Sequence, residues 1–440
     1  MKRRGEPAPA VPLALRLARW AHDLQPGRAD LELAGRSLLD TVAVALAARD
    51  HPVTALASQL PEGARWAVAG HVLDFDDLHM ESTAHISAVC VPTALATGGG
   101  AKAYLAAAGV MARLGTTLGW AHYSAGWHAT CTAGAPASAA GAAVALGLTT
   151  RQIATAIALA VPGAGGVQRA FGTDGKSLQV GFAVDAGIRA ARLAAAGAQA
   201  DPSALDAWLS LVGGDPADGQ ADLAGLAIPD GEALGGERAV PGGLAVKLYP
   251  CCYALQRPIS ALAELARARG LESSDVSRIV LRTPEAAVTP LIHHRPVTGL
   301  QAKFSLEYAA AAALLDGYPG FASFTDEAVL RPDAIRLAGL VETKLEPGGS
   351  WLLDGELEAA VHTRTGEIER ISQRFPPGSP ARPPTDQLRA KLGGCVAALP
   401  TDPATWTWDT AARVLRDHLH LSCVPVRQSG QTGRDLSRDA

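Results

Sequence analysis

Within HVLDFDDLHMESTAH, residues 71–85, four carboxylates (Asp74, Asp76, Asp77, Glu81) stand beside three histidines (His71, His79, His85). Charged residues make up only 19% of the 440-residue chain, so this density is unusual. Carboxylates next to imidazoles support two chemistries. A carboxylate can orient and charge-stabilise a histidine acting as general base, or the two residue types can share a divalent metal. The reading without chemistry is a capped, solvated helix end, because single Asp and His residues mostly sit at surfaces. A metal site is not expected. Asp76 and Asp77 have no second acidic cluster of similar density elsewhere to complete an octahedral oxygen shell.

Three further segments carry groups that could join such a site. His128 stands in SAGWHATCTAGA (124–135), between a Gly-Trp pair and a small-residue helix start. An imidazole there can face a cavity near backbone N–H groups that attract anions, although a lone histidine is also a common structural residue. Lys176 follows the Gly-rich turn of FGTDGKSLQVG (171–181) and opens an apolar helix. The helix dipole disfavours a cation at that end, so an anionic ligand would compensate; a flexible surface lysine is the alternative. In VKLYPCCYALQRPIS (246–260), Lys247 and Arg257 supply cations, and Tyr249, Cys251, Cys252 and Tyr253 supply weaker donors. This segment falls at the expected junction between domains, where ligand sites often form. Otherwise YPCCY is a buried linker whose cysteines act as small apolar residues.

The elements that must hold these residues are helical in the first 240 residues. Apolar periodicity predicts two helices across 12–49 and others at 87–97, 103–115, 133–146, 150–161 and 177–198, with no alternating strand pattern among them. Small residues, as in AGAPASAAGAAVALG (133–147), permit close helix packing. The stretches 214–224 and 229–243 are rich in Gly, Asp and Pro and read as loops. After Pro250 the pattern changes. A helix over 254–270 leads to a strand, SRIVLRT (277–283), and ELEAAVHTRTGEIERIS (356–372) reads as two strands turning near Thr365 and Gly366. Between them, AKFSLEYAAAAALLDG (302–317) has Phe304, Tyr308, Ala311, Ala312 and Leu315 at helical spacing and Gly317 as C-cap. The expected fold is mainly α. A large all-helical domain spans 8–250 and is completed by 385–425; a smaller α+β domain at 251–384 is inserted, ending in the linker PPGSPARPP, and a polar tail at 428–440 is disordered.

Composition excludes several partners. A net charge of −4 gives no basic footprint for nucleic acid. No uninterrupted apolar run reaches the roughly 18 residues of a spanning helix. MKRRGEPAPAVPLALRLARW begins like a signal peptide, but Pro7, Pro9, Pro12 and Arg16 break its apolar segment, so cytoplasmic residence is the default expectation. The six cysteines (Cys90, Cys131, Cys251, Cys252, Cys395, Cys423) have no CxxC spacing and read as reduced thiols.

Together the four segments resemble the MmgE/PrpD family, whose members include 2-methylcitrate dehydratase, cis-aconitate decarboxylase and iminodisuccinate epimerase. The matching stretches are HVLDFDDLH (71–79) with His85 after it, GWHATCTAGA (126–135), FGTDGKSLQVGFAVDAG (171–187), KLYPCCY (247–253) and AKFSLEYAAAAALLDG (302–317), in the family's order. The resemblance implies a helical domain with an inserted α+β lid, a homodimer, and catalysis without metal or other cofactor. It places Asp74, His85, His128, Lys176, Lys247 and Tyr308 on active-site positions. The chain also departs from the family pattern. Leu78 stands where the family usually has Thr, Ile86-Ser87 where it has Pro-Gly, and the histidine after the YP motif is missing, with Cys252 and Arg257 in its neighbourhood.

The implied chemistry is abstraction of a proton from the carbon next to a carboxylate, which requires a placed base and cations where charge accumulates. His85 or His128 is the candidate base, with Asp74 orienting one imidazole. Lys176, Lys247 and Arg257 are the candidate carboxylate holders, Arg257 in bidentate fashion. Tyr308, from the lid, is the candidate donor to a leaving hydroxyl. A hydro-lyase resembling 2-methylcitrate dehydratase and acting on a small di- or tricarboxylate is the leading expectation. An epimerase, a decarboxylase and a non-catalytic binding protein are the alternatives.

Overall fold

A computed structural model describes residues 11–213, 238–349, 351–384 and 386–419. The expected loop at 214–224, much of that at 229–243, and the tail at 428–440 lie outside the described residues, as do the first ten residues.

The first half is helical, as its periodicity predicts. Helices Leu13–Asp23 and Arg28–Ala47 are followed by Glu62–Val72, Ile86–Ala96, Ala101–Ser124, Gly134–Ala145, Thr150–Ala160 and Gly175–Ala195. The Gly175–Ala195 helix packs on Gly134–Ala145, Glu62–Val72 and Thr150–Ala160, which puts it at the centre of the bundle. Small residues set the spacing. A Cβ on Gly187 would come within 2.4 Å of Ser138, and one on Gly141 within 2.6 Å of Ala107, so these helices approach at distances only glycine allows. Near the other end of the described chain, Asp386–Val396 and Trp408–His418 return to pack on Arg28–Ala47. Among the described residues no helix is long and apolar enough to cross a membrane.

The second unit holds a four-stranded mixed sheet in the order β2-β1-β3-β4. Its strands are β1 (Val276–Pro284), β2 (Val341–Glu346), β3 (Leu357–Thr363) and β4 (Ile368–Gln373). β1 runs parallel to β2 and antiparallel to β3, and β3–β4 is a hairpin turning at Gly366, whose φ is 92°. Helix Tyr253–Arg269 lies against β3, β4 and the helix Leu306–Asp316. The main apolar core is continuous between the two units, through Leu248, Cys251, Leu255, Phe304 and Tyr308.

Three elements differ from the sequence expectation. The Glu62–Val72 helix has no strong apolar stripe to announce it, since it is buried almost all round. β2, VETKLE, has only Val341 and Leu345 as apolar residues, and as an edge strand of intermediate to full exposure it carries too weak an apolar signal to announce it. The single helix expected at 302–317 is two pieces, Gly299–Ala302 and Leu306–Asp316. Ser305 divides them: its Oγ accepts from the N–H of Tyr308 and caps the second helix. Lys303 and Phe304 therefore sit in the connection, outside either helix. The described cysteines are all free and buried.

Candidate active site

Asp74 is placed by a sharp change of direction at the end of the Glu62–Val72 helix. Its φ is 53°, in the left-handed region that Asp tolerates better than most residues, and its N–H donates to the His71 carbonyl. His71, in the last helical turn, is thereby held beside the carboxylates that follow it. Lys247 arrives through the bridge between Leu78 and Ala245, and Lys176 from the first turn of the Gly175–Ala195 helix. His85 and His128 each precede a helix, at Ile86 and Ala129.

These residues converge. The Lys247 ammonium pairs with Asp74 Oδ1 and lies 4.0 Å from Asp76, while Lys176 Nζ lies 3.3 Å from the same Asp74 oxygen. Asp76 Oδ2 receives both imidazoles, His71 Nδ1 at 2.8 Å and His85 Nδ1 at 2.9 Å. An ionised carboxylate only accepts, so both rings carry their proton on Nδ1. His71 Nε2 then has its lone pair free and accepts from Lys176 Nζ at 2.7 Å. His85 Nε2 lies 4.0 Å from Asp74 and makes no hydrogen bond among the described residues. The third imidazole, His128, meets Gln179 Nε2 at 2.6 Å and Cys131 Sγ at 3.3 Å through Nδ1. Its ring stands 5.8 Å from His71 and 6.4 Å from His85, and edge-on to Phe171.

Burial tunes every group. It opposes charge on Asp74, but Lys176 and Lys247 outweigh it and hold the carboxyl well below its usual range. Asp76 is likewise held low against burial by His85 and His71. Burial works against the Lys247 ammonium too, yet Asp74 and Asp76 raise its pKa above the ordinary lysine value. The imidazoles go the other way. Burial pushes His85 down to about 3 against the pull of Asp76, and burial with Lys176 lowers His71 and His128. At neutral pH the site thus holds the Asp74 and Asp76 carboxylates, the Lys247 ammonium and three neutral imidazoles. Three of its buried atoms, Asp74 Oδ2, Asp76 Oδ1 and His128 Nε2, have no hydrogen-bond partner among the described residues. Orphans of that kind are costly and rare outside functional sites.

The ligand atoms of His71, Asp76 and His85 lie within 4.8 Å of one another, a spacing that could hold a metal ion. Charge argues against it. Lys176 Nζ already occupies His71 Nε2, Lys247 lies 4.0 Å from Asp76, and both Nδ1 protons are spent on one carboxylate oxygen.

The structure brings together Asp74, His85, His128, Lys176 and Lys247, and gives two of them unexpected partners. Asp74 bridges the lysines, and the imidazoles are oriented by Asp76. The anion compensating Lys176 at its helix terminus is the protein's own Asp74. Arg257 and Tyr308 are not brought to this cluster. Arg257 donates to the carbonyls of Gly355 and Arg374, at 3.1 and 3.3 Å, and to the Thr283 hydroxyl at 3.3 Å. The Tyr308 hydroxyl donates to the Ser323 carbonyl. What the α+β unit does place beside the cluster is Lys303 and Phe304. Lys303 Nζ donates to the carbonyls of Leu73 at 2.8 Å and Pro250 at 2.5 Å, and burial pushes its pKa down to about 8. Phe304 stacks on Phe171, with Lys176 Nζ 5.5 Å from its ring. A cleft of about 770 Å³ opens alongside, walled by Leu73, Gly175, Lys303 and Phe321.

Sequence reading named His71 and Asp76 without giving either a role, and missed Lys303 and Gln179. The signal for the first two was their presence in the dense segment; nothing local marked the others. Leu78 packs with Ala245, Tyr253 and Leu353 in a small apolar cluster, so its lack of a hydroxyl leaves no orphan there. Ser87, one of the two residues standing in place of Pro-Gly, gives both its N–H and its hydroxyl to Asp77. Cys252 caps the Tyr253–Arg269 helix, and burial lifts its thiol to about 12.

Over 226 residues the chain is 31% identical to human cis-aconitate decarboxylase, covering 50% of this chain and 45% of that protein. Over 300 residues it is 26% identical to cis-aconitate decarboxylase of Aspergillus terreus, covering 60% and 59%. The chain thus spans about half the length of these curated relatives. Residues 61–208 match the MmgE/PrpD N-terminal domain, which contains His71 to Lys176, and residues 249–407 match the MmgE/PrpD C-terminal domain. With both domains present in order around one buried carboxylate, imidazole and lysine cluster, the chain belongs to the MmgE/PrpD family.

Proposed function

We propose that the chain is a cofactor-independent lyase acting on a small di- or tricarboxylate, in which His85 moves a proton at the carbon next to a carboxylate. The observation that carries this reading is the convergence of Lys176 and Lys247 beside an imidazole whose Nε2 lone pair is free. The ammoniums can take a substrate carboxylate and stabilise the charge that builds on it when the adjacent C–H bond breaks. The electron pair moves into conjugation with that carboxylate and the proton goes to His85 Nε2. A bound anion would also offset the lysine charges that disfavour protonation of His85, raising its basicity when substrate is present. The unpartnered His128 Nε2 supplies a donor.

Dehydration of a hydroxy acid follows if hydroxide leaves from the next carbon. Decarboxylation is the second reading, favoured by the names of both curated relatives. In that case the same cations stabilise the carbanion left by carbon dioxide. The lid role of 251–384 over a helical domain of 8–250 and 385–425, and the homodimer, form part of this proposal. Lys303 and Phe304 support the first by standing at the edge of the cluster.

Incubation with citrate-like hydroxy acids and their unsaturated tricarboxylate products in deuterated water, followed by NMR, tests the reading. Alkene signals support dehydration, loss of one carboxylate supports decarboxylation, and α-proton washout alone points to an epimerase. A protein that binds these acids but exchanges no proton would overturn the proposal. Activity unchanged by a chelator is expected.

A further inference from the structure

His128 and His85 are held by partners of opposite character. Asp76 accepts from Nδ1 of His85, which leaves Nε2 as a lone pair. Gln179 meets Nδ1 of His128 with its amide nitrogen, at 2.6 Å. The backbone of Val167 fixes which way that amide points. Its N–H donates to Gln179 Oε1 at 3.1 Å, and its carbonyl accepts from Gln179 Nε2 at 3.4 Å. Val167 is itself held by a bridge to Trp127, and the adjacent Gly166 carbonyl accepts from the His128 N–H. An amide N–H directed at Nδ1 requires a lone pair there, so the ring proton of neutral His128 must sit on Nε2. That atom is buried and has no partner among the described residues.

We propose that Gln179 is a positioning residue that locks His128 as its Nε2–H tautomer, so that His128 faces the substrate as a neutral hydrogen-bond donor and His85 alone is the base. This rests on the proton-abstraction reading above. The atoms balance without a second proton transfer: the C–H bond breaks, its proton passes to His85 Nε2, its electron pair enters the carboxylate, and His128 Nε2–H donates to the oxygen where charge grows. Burial and the nearby Lys176 keep His128 uncharged, which suits a donor that strengthens as the oxyanion forms. One helix serves both ends of the site, since Lys176 and Gln179 lie on adjacent turns of Gly175–Ala195.

The tautomers can be read directly by long-range proton–nitrogen NMR on protein labelled with ¹⁵N-histidine. His128 is expected to be protonated on Nε2 and His85 on Nδ1. In Gln179→Glu a carboxylate would accept from Nδ1–H, reversing the His128 tautomer, and kcat should fall by about 10²-fold or more with KM little changed. Gln179→Met, which cannot direct the ring, should lose less. A wild-type His128 protonated on Nδ1, or a Gln179→Glu protein with an unreversed tautomer, would overturn the role of Gln179. Reversal at undiminished kcat would overturn the donor role of His128. The tautomer measurement needs no substrate, so it decides the matter even where no polycarboxylate turns over, a result that would count against the proton-abstraction reading instead.

Discussion

Lys247 and Arg257 come from one short segment, are both almost wholly buried, and end in different surroundings. Lys247 faces Asp74 and Asp76 within a cluster that retains orphan acceptors. Arg257 spends its fork on carbonyls and a hydroxyl that tie helix Tyr253–Arg269 to the sheet, where burial and the nearby Arg374 lower its pKa to about 10. A buried cation marks a site when its neighbours leave valence for a ligand. Where the donors are spent on the fold's own oxygens, the same charge is structural.

The sharpest way to break this contrast is Asp74→Asn. Asn tolerates the left-handed backbone at this position, so the change removes charge and little else. Lys176 and Lys247 would lose their shared counter-ion, and uncompensated buried charge costs about 3–5 kcal/mol. Turnover should fall by at least about 10²-fold. A variant with parental melting temperature and parental kcat would dissolve the distinction between the two regions.

Within the cluster, His85→Gln should lower kcat by about 10²- to 10⁴-fold, the usual range for a general base, with a small change in melting temperature. His79→Gln should do the reverse. His79 is buried outside the cluster with both nitrogens engaged, by Ser82 at 2.8 Å and the Pro241 carbonyl at 2.9 Å. Equal kinetic effects of the two substitutions would mean that burial, not placement, decides function here.

Asp77 shows how little sequence adjacency says about charge. Next to the ionised Asp76, it is pushed up to about 7 by burial, against the help of Ser87. The folded protein therefore holds a proton that an unfolded Asp, with pKa about 3.9, releases. Stability falls as pH rises between those two values and is level above the higher one. Asp77→Asn removes this slope: near equality at pH 4 and a gain of up to about 4 kcal/mol at pH 8 are expected from the linkage. Urea titrations across that pH range measure it, and a slope unchanged in the variant would assign the titration to another group.

Arg257→Lys should cost about 2 kcal/mol, because one ammonium cannot replace the fork's several hydrogen bonds. KM for a polycarboxylate should not move. A severalfold rise in KM at unchanged stability would return Arg257 to the substrate.

Much of this was legible from residue types. From the dense segment His71, Asp74, Asp76 and His85 lie in the cluster, joined by His128, Lys176 and Lys247, while His79 and Asp77 do not; the strands at 277–283 and 356–372 formed where alternation placed them. The pairings were not legible. Lys247 meets Asp74 across 173 residues and Lys176 meets His71 across 105, so whether Asp74 or Asp76 orients the imidazoles depends on helix packing that no local pattern records. Gln179 is an ordinary helical residue by sequence; only the bridge between Trp127 and Val167 gives it a task. Family resemblance carried the positions and not the contacts: it pointed to Tyr308 but not to the bond its hydroxyl makes to the Ser323 carbonyl.

Tyr308→Phe should then have the smallest effect. The residue is 1% exposed, its ring packs edge-on near Phe324, and burial lifts its hydroxyl to about 12 against the opposing influence of Arg331. Phe keeps the ring and leaves the Ser323 carbonyl without its donor, a loss of about 1 kcal/mol. Because that hydroxyl is committed to the backbone of its own unit, kcat should remain at the parental value. The opposite outcome is informative: a large loss of kcat at constant melting temperature would show that the hydroxyl leaves Ser323 and reaches the substrate during turnover. The α+β unit would then contribute a catalytic donor, and the boundary drawn between a reactive helical half and a structural second half would have to move to include Tyr308.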